Sequence, residues 1–119
     1  MTQTTFRLNA APEGMVPSDF MQPESFTTDD RTELNLFAYA AEDESILSGV
    51  WEVGPTREDY PDGYPVHEMM HVIKGAIIMT HPDGTVETFS AGDTFFIPKG
   101  SPCTWETKEP TRKFYMIAA

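Results

Sequence analysis

From Glu33 onwards the chain is a series of short runs in which apolar and polar residues alternate, each closed by a turn. Residues 34–40 alternate and end in the acidic turn Ala41-Glu42-Asp43-Glu44, and residues 46–53 form a second run closed by Gly54-Pro55. A loop over 56–65 leads to the central run His67-Glu68-Met69-Met70-His71-Val72-Ile73, which turns at Lys74-Gly75. Runs at 76–80, 86–89, 94–97, 103–107 and 111–117 complete the series. His81-Pro82-Asp83-Gly84, Ser90-Ala91-Gly92-Asp93 and Pro98-Lys99-Gly100-Ser101-Pro102 punctuate it, because Pro, Asp and Gly supply the backbone angles that tight turns demand. About eight strands at this spacing, with hardly any helix signal, predict an all-β sandwich or small barrel. A barrel of roughly that strand number has an interior wide enough for one small ligand.

The central run has a second, incompatible reading. His67-Glu68-Met69-Met70-His71 matches the His-Glu-x-x-His pattern that, on a helix, sets two imidazoles one turn apart around zinc. Its flanks argue for a strand. Tyr60-Pro61-Asp62-Gly63-Tyr64-Pro65 puts two prolines and a glycine where the first helical turns would lie. Val72, Ile73 and the run Ile77-Ile78-Met79-Thr80 are strand vocabulary, and no helical period surrounds the motif. On a strand, Glu68 faces one side and both histidines the other.

Residues 1–32 mix Thr, Pro, Asp, Glu and Gln with Phe6, Phe20, Met21 and Phe26, and are broken by Pro12, Pro17 and Pro23. This is too apolar for a free tail and too interrupted for regular structure. It predicts an extended N-terminal arm (1–32) that packs on the barrel (33–119) or on a partner subunit. A chain of 119 residues has room for one core. No run approaches the roughly 18 apolar residues of a membrane helix. The first residues lack the basic start and apolar core of a signal peptide, and the single Cys103 cannot form an internal disulfide, so a reducing, cytoplasmic setting is expected. The formal charge of −11 argues against nucleic acid or an anionic membrane as partner. The charge is uneven, with twelve acids and three bases in 1–60 against seven and five in 61–119, as a solvated surface or an acidic patch would give.

Two motifs resemble those of the cupins. Glu68-Met69-Met70-His71-Val72-Ile73-Lys74-Gly75 is similar to the end of the first cupin motif, and Gly92, Pro98, Gly100 and Cys103 match the spacing of the second. Gly49-Val50-Trp51-Glu52, Thr104-Trp105-Glu106 and the closing Arg112-Lys113-Phe114-Tyr115-Met116-Ile117 narrow the resemblance to small single-domain cupins of the RmlC-like superfamily. These resemble the cupin parts of ureidoglycine aminohydrolase and of ethanolamine-utilisation proteins. The resemblance covers roughly 45–119. It implies a jelly-roll, or double-stranded β-helix, barrel with a pocket inside.

Metal-binding cupins use His-x-His and Glu of the first motif and His of the second. Here the corresponding positions are Asp62, Tyr64, Glu68 and Cys103, so three histidines are replaced. The resemblance therefore leaves two functions open. One is a metal-dependent enzyme (Mn, Fe, Ni or Zn) acting on a small nitrogen-containing or carboxylate metabolite. Its metal ligands would be Glu68, Cys103, Asp62, Tyr64 and His67 (the last only if its loop departs from strand geometry), with Glu68 and Cys103 as catalytic groups. The other is a non-catalytic ligand-binding, sensor or accessory cupin that has lost the metal. In both, Tyr64, Trp51, Trp105 and Met70 line a small-molecule site, and a homodimer is expected through the arm or a sheet edge. Glu68 is the leading functional residue, since a lone acid among Val66, Met70 and Val72 on an inward face is costly without a task. Cys103 is by type a small buried hydrophobe or a nucleophile, and the tryptophans are core or stacking surface. His71 is expected to pack with a satisfied ring N–H, and His81 to be exposed in its turn. Arg112 and Lys113 either grip an acidic ligand or lie on a solvated strand.

Overall fold

The computed structural model describes residues 3–119, so the first two positions of the expected arm lie outside the described residues. Ten strands run in chain order: β1 (Val16–Pro17), β2 (Glu33–Ala40), β3 (Ile46–Val53), β4 (Thr56–Tyr60), β5 (His67–Lys74), β6 (Ala76–Thr80), β7 (Val86–Ser90), β8 (Thr94–Ile97), β9 (Cys103–Thr107) and β10 (Thr111–Ala118). They form two antiparallel sheets, one of six strands in the order β1-β2-β3-β10-β5-β8 and one of four in the order β4-β9-β6-β7. The core lies between them, and the all-β jelly roll expected from the sequence is present. No helix among the described residues is long and apolar enough to cross a membrane.

Alternation dictates what faces inward. On β5, His67 and Met69 are exposed while Glu68, Met70 and Val72 are buried, so His-Glu-x-x-His lies on a strand and cannot form the helical zinc motif. On β10, Thr111, Lys113 and Tyr115 face the core, as do Trp51 and Val53 on β3 and Cys103, Trp105 and Thr107 on β9. A bulge in β5 sets Lys74 opposite Arg112 but Val72 opposite Lys113. The extra residue turns Lys74 outward, where it pairs with Glu52 at 3.2 Å beside Arg112, which meets the same carboxylate at 2.9 Å.

The sequence reading of 56–65 as a loop is corrected by β4, which pairs with β9 from Thr56↔Thr107 to Tyr60↔Cys103. Thr-Arg-Glu-Asp-Tyr carries little strand signal, but β4 is an edge strand whose Arg57 and Asp59 face water, and its register is held by a buried threonine pair. Thr56 donates its backbone N–H to Thr107 Oγ1 at 3.0 Å, and Thr107 donates to the Gly54 carbonyl at 3.0 Å.

The N-terminal segment lies on its own barrel. β1 pairs with β2, with Val16 opposite Asn35, and Phe26 bridges to Thr56 after a single 3-10 turn at Pro23–Ser25. Between them, the buried carboxylate of Glu33 accepts from Ser18 Oγ at 2.6 Å and from the backbone N–H groups of Phe20 and Met21 at 2.8 and 3.0 Å. The same carboxylate accepts from Trp51 Nε1 at 3.1 Å, so one side chain ties the arm to the core.

Candidate functional site

A cavity of about 260 Å³ opens inside the barrel. Phe20, Met21, Phe37, Leu47, Val66 and Ile117 give it apolar walls. The half-exposed Phe20 and Phe37 meet edge to face at 6.2 Å and mark its mouth. Its remaining lining consists of Trp51, Trp105, Tyr60, Tyr64, Tyr115, Glu68 and Lys113.

Three polar groups of this lining, Lys113, Glu68 and Tyr64, form one connected set. Lys113 Nζ donates to Glu68 Oε2 at 2.7 Å, and the side chains of Lys113 and Glu68 are 7% and 5% exposed, a burial at which neither charge could stand alone. Tyr64 donates its hydroxyl to Glu68 Oε1 at 2.6 Å. Lys113 Nζ also reaches Met70 Sδ at 3.2 Å and sits over the rings of Trp51 and Trp105, 4.8 and 5.4 Å from their centroids. The two indoles meet edge to face at 5.8 Å, so ammonium and rings form one packed unit. Burial, reinforced by the neighbouring Glu68 carboxylate, pushes the Tyr64 phenol well above its usual range and keeps it a donor. Tyr60, packed against Tyr64 at 4.9 Å, is raised for the same first reason and by its hydrogen bond to Glu58.

The backbone makes room for this set. Tyr115 lies opposite Gly49, and its hydroxyl crosses β3 to donate to Asn35 Oδ1 on β2 at 2.7 Å. A Cβ at Gly49 would meet that hydroxyl at 2.9 Å and collide with the Leu36 carbonyl oxygen, so only glycine lets the ring pass.

The donor set does not suit a divalent metal. Among the described residues no three His, Cys, Asp or Glu side chains come together as metal ligands do. Both oxygens of Glu68 already accept from Lys113 and Tyr64, and an ammonium beside the carboxylate repels a second cation.

Residues 40–115 match the sequence model of the EutQ-like cupin domain. The chain belongs to that family. No curated protein sequence matches it at a significant level. Among solved structures, this cupin is similar to a protein of unknown function of the DUF861 family from Pseudomonas syringae pv. tomato, with 25% identity and a TM-score of 0.81 over 93% of its own length. It spans only 46% of that protein. It is also similar to the EutQ protein of Clostridium difficile, at 25% identity and a TM-score of 0.59, over 72% of this chain and 67% of that one. The cupin domain of Schizosaccharomyces pombe Cnp3, at 18% identity and a TM-score of 0.58 over 78% of this chain and 69% of that one, shares the fold.

In this cupin, Glu68, Tyr64, Trp51 and Trp105 lie together at the cavity. Met70 is fully buried beneath it as a neighbour of Lys113. Cys103 is buried on β9 outside the lining, and burial pushes its thiol up. Asp62 lies exposed in the turn before β5. His67 points outward, accepts from the Lys99 backbone N–H at 3.0 Å and stacks on Phe96. His71 stacks on the outer face against Phe114 and bonds Thr94, and His81 pairs with Glu87. Sequence reasoning did not single out Glu33, and its solvated-strand alternative for Lys113 is corrected, since that side chain is buried at the cavity. Lys113 carried a signal, since it shares the two-residue phase of Tyr115 and Ile117.

Proposed function

We propose that this cupin is a small-molecule-binding protein that holds its ligand inside the barrel without a metal. The observation that carries the reading is the buried Lys113–Glu68 pair in a largely apolar cavity. An ammonium beside Glu68 supplies the fixed positive charge that a metal would otherwise bring to a carboxylate at this point, and it needs no cofactor. Binding is favoured over catalysis by the state of the candidate reactive groups. Burial lowers the thiolate fraction of Cys103, the opposite of what a nucleophile needs, and each oxygen of Glu68 is already held by a donor, Tyr64 on one and Lys113 on the other. The metal-dependent chemistry on small nitrogen-containing or carboxylate metabolites implied by the cupin resemblance finds no matching ligand set.

The test combines elemental analysis of protein purified without chelator with a thermal-shift screen of small molecules. The reading expects no stoichiometric Mn, Fe, Ni or Zn, and a ligand that raises the melting temperature with the logarithm of its concentration above Kd. A near-stoichiometric metal that disappears in Glu68→Gln would overturn it and return the protein to the metalloenzymes.

A further inference from the structure

The cavity chemistry also points to the class of ligand, an inference that rests on the binding function proposed above. An ammonium offers three N–H donors, and those of Lys113 meet only one strong acceptor among the described residues, Glu68 Oε2 at 2.7 Å. A second contact goes to Met70 Sδ at 3.2 Å, a thioether and hence a weak acceptor. The Trp51 and Trp105 rings cover the cation with π density, which stabilises the charge but leaves donor capacity unused. Glu68, by contrast, already holds a strong donor on each of its oxygens, Tyr64 on one and Lys113 on the other. Lys113 lines the cavity, so a ligand oxygen can replace the Met70 sulfur as acceptor.

We propose that the pocket selects neutral, mostly apolar molecules that carry one oxygen acceptor, such as a carbonyl or hydroxyl, which takes a hydrogen bond from the Lys113 ammonium. Charge balance requires the neutrality. The Lys113–Glu68 pair is already compensated, so a ligand carboxylate would set two carboxylates on one ammonium in a poorly solvated interior. A ligand amine would set a second cation beside Lys113. The surrounding Phe20, Phe37, Leu47, Val66 and Ile117 match an apolar body. Size agrees, since an engineered apolar cavity of about 150 Å³ takes up benzene, and this one offers about 260 Å³.

The experiment titrates the full-length protein with size-matched probes: toluene, benzyl alcohol, acetophenone, benzoate and benzylamine. Acetophenone and benzyl alcohol are expected to bind about tenfold more tightly than toluene, the worth of one hydrogen bond to a charged donor. Benzoate and benzylamine should bind more weakly than either. In the double variant Glu68→Gln/Lys113→Met, which removes both charges together, toluene should still bind while the advantage of acetophenone disappears. Toluene binding as tightly as acetophenone in the unaltered protein, or benzoate binding tightest, would overturn the head-group assignment and leave the pocket as a binding site. Failure of every probe would overturn this inference, while the binding function is decided separately by the thermal-shift screen. The order of affinities in the unaltered protein decides the matter even if the double variant does not fold.

Discussion

Lys113 and Glu68 meet at 2.7 Å although the β5–β10 ladder does not set them side by side. Lys113 lies opposite Val72 and Glu68 opposite Ile117, so the lysine chain extends along the strand pair, past Met70, to reach its partner. Removing one member leaves the other charged and buried. Lys113→Met is therefore expected to cost about 3–5 kcal/mol, and Glu68→Gln/Lys113→Met to recover most of that loss. Urea unfolding of the two single variants and the double one measures the coupling, and a double variant as unstable as the sum of the singles would deny it.

Glu33 joins the arm to Trp51 through four accepted hydrogen bonds. Glu33→Ala leaves the buried donors of Trp51 and Met21 without a partner and is expected to cost about 3 kcal/mol or more. Its signature is local. Amide exchange at Phe20 and Met21 should speed up far more than exchange at β5 or β10. Uniform acceleration across the barrel would mean that the carboxylate supports the core alone.

Stability should fall on the alkaline side. Tyr115 is pushed up to about 12, chiefly by burial, from an unfolded value of 10.0, and burial raises Tyr60 and Tyr64 in the same direction. A raised phenol favours the protonated folded state. Its contribution is complete below pH 10.0 and is lost as pH climbs towards 12, because the unfolded chain gives up its protons first. Phenolate absorbance from these three residues should rise together with the loss of near-ultraviolet circular dichroism. Ionisation of all three in a protein that keeps its native dichroism would contradict their burial.

At Gly49 the smallest substitution is expected to be severe. An added methyl group meets the Leu36 carbonyl and the Tyr115 hydroxyl, so Gly49→Ala must push β2 away or break the Tyr115–Asn35 bond. A loss of about 1–3 kcal/mol is expected, as for other overpacked sites. Gly84, around whose Cβ position nothing lies within 4 Å, has a φ of +87°, so an alanine there is opposed by backbone strain alone and provides the comparison.

Much of this was legible in the chain. The turns at Gly75, Gly84, Gly92 and Gly100 all take positive φ and delimit the strands where the residue pattern does. Alternation alone placed Glu68 inside and His67 outside. Lys113 stayed ambiguous because its strand is apolar on both phases: Phe114 and Met116 on one, Tyr115 and Ile117 on the other. Only the register with β3 and β5 decides which phase faces in. β4 was hidden for a different reason, since its hold on β9 comes from a threonine pair 51 positions apart in the chain. The role of Glu33 depends on Trp51 and on residues 18–21 arriving at one point in space, which no local pattern encodes.

The mouth of the cavity has a consequence for time rather than for affinity. Phe20 meets Phe37 edge to face at the opening, and the backbone N–H of the same Phe20 is bound to Glu33. Glu33 thereby steadies one side of the rim past which a molecule would approach the Lys113 ammonium. Movement of that rim would act on entry and exit alike, for weak and strong ligands in the same sense. Loosening it at Ser18, whose hydroxyl binds the same Glu33 carboxylate, would be felt first in the rates of exchange.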